Sequence, residues 1–349
     1  MSKFRYYNLI ILVVALAVCA LYLYMKDRKG NSQTLNQDSQ KEQISQNPLS
    51  IVAMRASYYP GSDLKIEQTL SSAKNYSQYI ASYQSEGLKI YGLLTVPIGQ
   101  KPPGGWPTII FNHGYITPEK YKTTEKYVAY VDAFAKNGYI VFKPDYRGNG
   151  KSEGNPEGAY YSPAYATDVL NALSSLKNFK DANAMQIGMW GHSMGGNITL
   201  RALVVEPKDI KAAVIWGGVV GSYDDLINNW QTKVPFVPSQ RQLALRNNYR
   251  KKLTDTYGTP ATNPDFWRGL DPTYHLADIS APIQLDVGAS DEEVPPDFSK
   301  SLYEKLQQAG KTVEYYDYPG ADHNISSPNF EAAMQKSIAF FDKYLKGGE

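Results

Sequence analysis

Gly191-His192-Ser193-Met194-Gly195 stands between an apolar, strand-like run and an apolar, helix-like run, and that setting decides the fold. Upstream, residues 185–190 read as a short buried strand. Downstream, Ile198, Leu200, Ala202, Leu203 and Val204 read as the apolar face of a helix opening at about Met194. A Gly-x-Ser-x-Gly pentapeptide at a strand-to-helix turn lifts the serine hydroxyl above the sheet in a strained backbone conformation. The flanking glycines let strand and helix approach without side-chain collision. Ser193 is therefore the candidate nucleophile, against the alternative of a Gly-rich turn carrying a structural serine.

A serine nucleophile needs a base, and the base needs an orienting carboxylate. Where such an elbow tops a sheet, the partners follow the serine in the order acid, then histidine. The chain has four histidines, His113, His192, His275 and His323. Only His275 and His323 follow Ser193, and only His323 leaves room for a carboxylate loop ahead of it. His323 lies on a loop after the strand-like residues 313–318, from which it can reach across the top of the sheet. His275 reads as an ordinary packed or surface histidine. The acid is Asp291, which turns off the end of the strand-like residues 282–287. Asp286 is the runner-up, but a mid-strand position points it into a sheet face. Glu292 and Glu293 read as solvated loop charges, with contact to a cationic substrate group as the alternative.

The oxyanion hole needs two backbone donors aimed at the developing negative oxygen. The amide of Met194, directly after the nucleophile, supplies one. The other is expected from Tyr115, on the loop His113-Gly114-Tyr115 that leaves the strand at residues 108–112; Gly114 permits the turn and His113 braces the loop.

Five motifs occur together and in order: Asn112-His113-Gly114, Asp145-Tyr146-Arg147-Gly148-Asn149-Gly150-Lys151-Ser152, Gly191-His192-Ser193-Met194-Gly195-Gly196, Gly288-Ala289-Ser290-Asp291-Glu292-Glu293-Val294-Pro295 and Gly320-Ala321-Asp322-His323. This set resembles the catalytic domain of the prolyl oligopeptidase-like serine hydrolases, within the α/β-hydrolase superfamily, over roughly residues 75–347. The resemblance implies a Ser-Asp-His triad, which maps onto Ser193, Asp291 and His323. Two departures weaken the step from serine hydrolase to peptidase. No long N-terminal stretch is present to form the β-propeller that filters peptides in the large members. His192 and Met194 also flank the serine, where the peptidases of the family often carry tryptophan and tyrosine. Simple esterases share the same core.

The remaining pattern fits an α/β fold with a mostly parallel central sheet and helices on both faces. Residues 79–83 and 88–96 form a hairpin expected at the antiparallel edge of the sheet. Strand and helix patterns then alternate, with helices marked by Tyr127, Val131 and Phe134 and by Ala166, Val169, Leu170, Leu173 and Leu176. Short apolar runs at residues 109–111 and 214–216 suit central strands buried on both faces. No Gly-x-Gly-x-x-Gly joins a first strand to its helix, so a Rossmann-type cofactor reading fails. Arg147 reads as a loop brace rather than a phosphate site. Between about residues 219 and 274 the alternation stops, in a segment holding Trp230, Phe236, Tyr249, Tyr257 and Trp267 with Arg241, Arg246, Arg250, Lys251 and Lys252. A small helical cap insert is expected there. Its aromatics line a substrate pocket or form a small core of their own, and its basic residues form a solvated helix face.

Residues 6–25 are a run of 20 uncharged residues dominated by Leu, Ile, Val and Ala. At 1.5 Å per residue that length spans a bilayer core of about 30 Å. The expected organisation is a membrane anchor over residues 1–29, a flexible polar linker over 30–50 and a catalytic domain over 51–349, on the extracytoplasmic side. Cys19, the single cysteine, lies in that run and excludes a disulfide within the domain; the Leu16-Ala17-Val18-Cys19 likeness to a lipoprotein box is weak. A net charge of +2 without a basic stripe gives no case for nucleic-acid binding. No Cys/His cluster has metal-ligand spacing, and no cofactor is expected. The sequence thus reads as a serine hydrolase acting on a small peptide or ester, with transfer to another alcohol as a variant. A binding protein on an inactive hydrolase fold is the alternative of another class. Substrate-binding residues and oligomeric state are not assigned.

Overall fold

Alternation within single strands builds the two faces of the core. In β4 (Trp106–Asn112), Ile109 and Phe111 enter one apolar cluster and Ile110 the other; in β7 (Ala213–Trp216), Val214 and Trp216 join the first, Ala213 and Ile215 the second. Successive side chains of a strand point to opposite faces, so a strand covered on both sides must be an unbroken apolar run. The computed structural model describes Met25 and residues 47–156, 160–230 and 240–347, without the side chains of 240–248. Described residues from Leu49 onward belong to one compact unit, and the few before it to another.

In the larger unit β1 (Lys65–Thr69), β2 (Tyr76–Ser85), β3 (Leu88–Pro97), β4, β5 (Ile140–Pro144), β6 (Ala182–His192), β7, β8 (Ile283–Gly288) and β9 (Val313–Tyr318) form a nine-stranded sheet in the order β1-β2-β3-β5-β4-β6-β7-β8-β9. The pairings of β1 with β2, β2 with β3 and β3 with β5 are antiparallel; those from β5 to β9 are parallel. Helix α1 (Ile51–Ala56) is capped by the buried Ser50. Helices α2 (Val128–Lys136) and α8 (Phe330–Leu345) cover one face of the sheet. Helices α3 (Ala164–Lys177), α4 (Met194–Val205) and α7 (Pro296–Gln308) cover the other, which makes this the α/β-hydrolase fold. The chain leaves β4 to one side and returns through α3 to β6 on its other side. The carboxyl ends of β4 and β6 therefore form the switch point at which open α/β sheets bind ligands.

Several sequence expectations change in detail. The hairpin forms, as β2 and β3, but it is not the edge of the sheet: β1 lies outside it, exposed along its whole length and held by pairing to β2. The strand before Ser193 starts at Ala182, and Met185 is 68% exposed rather than buried. Arg147 is the brace expected of it, its guanidinium lying 2.7 Å from buried Asp168 and 2.8 Å from Glu86. Among the described residues no helix is long and apolar enough to cross a membrane; residues 6–24 lie outside them.

Candidate active site

Ser193, directly after β6 and before α4, has φ 55° and ψ −119°, a region non-glycine residues avoid at a cost of about 1–3 kcal/mol. Three backbone bonds over-determine it. Its N–H donates to Trp216 O, and its carbonyl accepts from Gly196 and Val219, each at 3.0 Å. A Cβ on Gly195 would lie 1.8 Å from Asn112 O, and one on Gly191 would lie 2.4 Å from Thr199 Oγ1. Both glycines are thus dictated by the crossing of β4, β6 and α4.

The loops after β8 and β9 bring Asp291 and His323 together, with Asp291 Oδ2 2.7 Å from His323 Nδ1. Asp291 Oδ1 accepts the N–H groups of Glu293 and Val294, both at 2.9 Å, which fixes the carboxylate plane. Both residues are buried. Gly217, just past β7 at φ +49°, is where a side chain would meet both: its Cβ would stand 3.1 Å from His323 Nδ1 and 3.3 Å from Asp291 Oδ2. Gly217 also immediately follows Trp216, whose carbonyl holds the Ser193 amide. The elbow and the Asp–His pair thus share one end of the sheet.

The competing acids and bases fall elsewhere. Asp286 is fully buried within the sheet face, accepting from Tyr318 at 2.7 Å and from Gln284 at 2.6 Å. Burial pushes its carboxyl up to about 7, against the weaker opposing effect of those bonds. His275 packs against the Arg268 carbonyl, and Glu292 and Glu293 are exposed. His113 is stacked between Tyr121 and Tyr146, with Nδ1 2.7 Å from Gly114 O. Burial, and next the Lys143 charge, hold its imidazole down at about 3, so it braces the loop as a neutral ring.

The loop after β4 passes close to Ser193, since a Cβ on Gly114 would lie 3.2 Å from Ser193 Cβ. The Gly114 amide donates to Tyr127 Oη at 2.9 Å. Met194 opens α4, where the first N–H groups have no carbonyl within the helix and carry its positive end. Tyr127 carried no signal of this role in the sequence, where it marked only a helix. It is the residue before α2, held at φ 55°.

The segment between β7 and β8 is helical, with a π-helical turn at Asp225–Asn229, α5 (Gln240–Tyr257) and α6 (Pro264–Leu270). It does not keep its aromatics to a separate core: Leu253, Phe266, Trp267 and Leu270 are buried in the cluster that also holds Ile198 and Leu200 of α4. Trp230 instead donates from Nε1 to Glu293 O at 2.9 Å, on the Asp291 loop, with its ring beside Tyr160 and Phe298. Arg250, Lys251 and Lys252 are exposed, as expected; Phe236 lies outside the described residues.

The prolyl oligopeptidase family model matches residues 126–348, which contain Ser193, Asp291 and His323. An uncharacterized peptidase of Bacillus subtilis strain 168, YtmA, is 27% identical over 253 residues, covering 72% of this chain and 88% of that protein. Among solved structures, an acetyl xylan esterase from Paenibacillus sp. R4 superposes with a TM-score of 0.62 at 19% identity, over 84% of this chain and 92% of the esterase. The acylaminoacyl peptidase of Pyrococcus horikoshii superposes with a TM-score of 0.61 at 22% identity, over 79% of this chain but only 43% of its own.

Proposed function

The chain belongs to the prolyl oligopeptidase family and is a serine hydrolase, and on that premise we propose that it splits small peptide or ester bonds through an acyl-enzyme on Ser193. The observation that carries this reading is the 2.7 Å Asp291–His323 pair at the same end of the sheet as the strained Ser193 elbow. Asp291 accepts the Nδ1–H of His323, which leaves Nε2 as the ring atom that takes the serine proton. Ser193 Oγ then attacks the carbonyl carbon, and the amides of Met194 and Tyr115 receive the oxyanion. His323 returns the proton to the leaving amine or alcohol. Water, activated by the same imidazole, releases the acyl group and regenerates Ser193.

Family membership and the Bacillus relative support a peptide bond. The esterase match, which extends over nearly the whole of that enzyme, supports an ester. The test is a fluorophosphonate probe on the protein and on Ser193→Ala, followed by short p-nitrophenyl esters against aminoacyl and prolyl p-nitroanilides. Serine-dependent labelling with anilide turnover gives a peptidase, and ester turnover alone an esterase; absence of labelling in a folded sample refutes the triad. Residues 6–25, uncharged and of bilayer-spanning length, support anchoring of this domain to a membrane, and a signal-anchor followed by a polar linker would carry the domain to the extracytoplasmic side. Recovery of the full chain in the soluble fraction of gently lysed cells would overturn that placement.

A further inference from the structure

Lys126 and Tyr127, leading into α2, both adopt left-handed backbone conformations, at φ 56° and 55°. Two successive non-glycine residues there are strained and persist only where surrounding contacts over-determine them. The hydroxyl that this turn delivers bonds on two sides. It accepts the Gly114 N–H at 2.9 Å and lies 2.8 Å from His192 Nδ1. Across the same imidazole, His192 Nε2 meets the main-chain carbonyl of His323 at 3.0 Å. A carbonyl oxygen only accepts, so His192 carries its proton on Nε2, Nδ1 accepts, and the Tyr127 hydroxyl donates to it. The bonds therefore run in one consistent direction, from Gly114 through Tyr127 and His192 to His323. Burial, and next the neighbouring His323, keep His192 neutral down to about pH 3. Its ring, 4.6 Å from that of His323 between centroids, thus adds no cation beside the base.

We propose that Tyr127 and His192 are positioning residues that tie the oxyanion loop at Gly114 to the main chain of His323, so that oxyanion donors and base keep one geometry about Ser193. The inference rests on the hydrolase reading above. Neither residue is assigned contact with the substrate; each acts through the backbone it holds. The glycine at 114 is part of the same arrangement, since a Cβ there would lie 2.5 Å from Tyr127 Oη and 3.1 Å from His192 Nδ1.

Tyr127→Phe deletes the hydroxyl and keeps the ring that meets Phe111 and Tyr130 edge-on. His192→Leu deletes the other link, and His192→Gln restores an amide able to donate and accept. In the full-length protein, either deletion should lower kcat for a p-nitrophenyl ester about 10- to 100-fold, with KM and the melting temperature little changed. The double variant should be no slower than the slower single one, because breaking either link breaks the chain. His192→Gln should recover part of the loss. Unchanged kcat in Tyr127→Phe, or losses that multiply in the double variant, would overturn the proposal. A second readout is independent of turnover: the proton resonance of His323 Nδ1–H, assigned by its disappearance in His323→Ala, should shift or broaden in Tyr127→Phe. If the parent protein neither labels nor turns over while that resonance responds, the hydrolase reading falls and the tie stands. An unmoved resonance removes the tie.

Discussion

Asp286→Asn tests the assignment of the acid and the electrostatics of the sheet together. Asp286 is fully buried, and its carboxyl, ordinarily near 3.8, is pushed up to about 7 by desolvation. Between about pH 4 and 7 the folded protein holds this group protonated while the unfolded chain ionises it. The folded state therefore binds the extra proton, and stability falls as pH rises through that window. At about 1.4 kcal/mol for each tenfold change in ionisation, the full loss above pH 7 is about 4 kcal/mol. Asparagine cannot ionise. Its amide can also donate to Gln284 Oε1, which has no partner in the present arrangement, once the glutamine amide turns over. Urea unfolding at pH 5 and pH 8 should show the variant more stable than the parent by about 1–2 kcal/mol at pH 5 and by about 4 kcal/mol at pH 8. Its hydrolase activity should persist. Equal destabilisation at both pH values would refute the reading of a buried neutral acid. Loss of activity in a folded variant would mean that Asp286, not Asp291, orients the base.

Asp291→Asn should leave the fold intact and lower kcat by about 10⁴-fold, since the orienting acceptor for His323 Nδ1–H is lost; steady-state kinetics on the labelling-competent protein reads this directly. Gly195→Ala would place a methyl carbon 1.8 Å from Asn112 O and should cost more than about 3 kcal/mol, seen as loss of folded yield or a much lower urea midpoint. Arg147→Met strands the carboxylate of fully buried Asp168 and should destabilise by about 3–5 kcal/mol at pH 7, measured by the same unfolding titration, without removing a group from the proposed triad.

The parts of the fold that sequence made legible are those where burial imposes a period. The β4 and β7 runs, the helix after Ser193 and the helix carrying Ala166, Val169, Leu170 and Leu173 each declare their faces in the spacing of apolar residues. The choice of Asp291 over Asp286 was legible for the same reason: one lies off the end of a strand and the other within it. Edge strand β1 was not legible, because Lys65-Ile66-Glu67-Gln68-Thr69 buries nothing and is held by backbone pairing that leaves no apolar signature. The helical segment before β8 misled in another way. Its aromatics announced a core but not whose, and Phe266 and Trp267 join the cluster beneath α4 rather than one of their own.

Sequence by itself determined the elbow that carries the candidate nucleophile Ser193 and the order in which the candidate acid and base follow it, because a strand-to-helix turn with Gly191 and Gly195 is local chemistry within a few residues. It also determined that strands and helices alternate, since each carries its own hydrophobic period. Only the tertiary structure decided what holds these pieces in register. The link from Gly114 through Tyr127 and His192 to His323 joins residues 13 to 131 positions apart. It depends on a left-handed backbone at Tyr127 that no residue type at that position announces. Hydrogen bonds of that kind reward position in space rather than position in the chain, so they appear only when the sheet has brought its loops together.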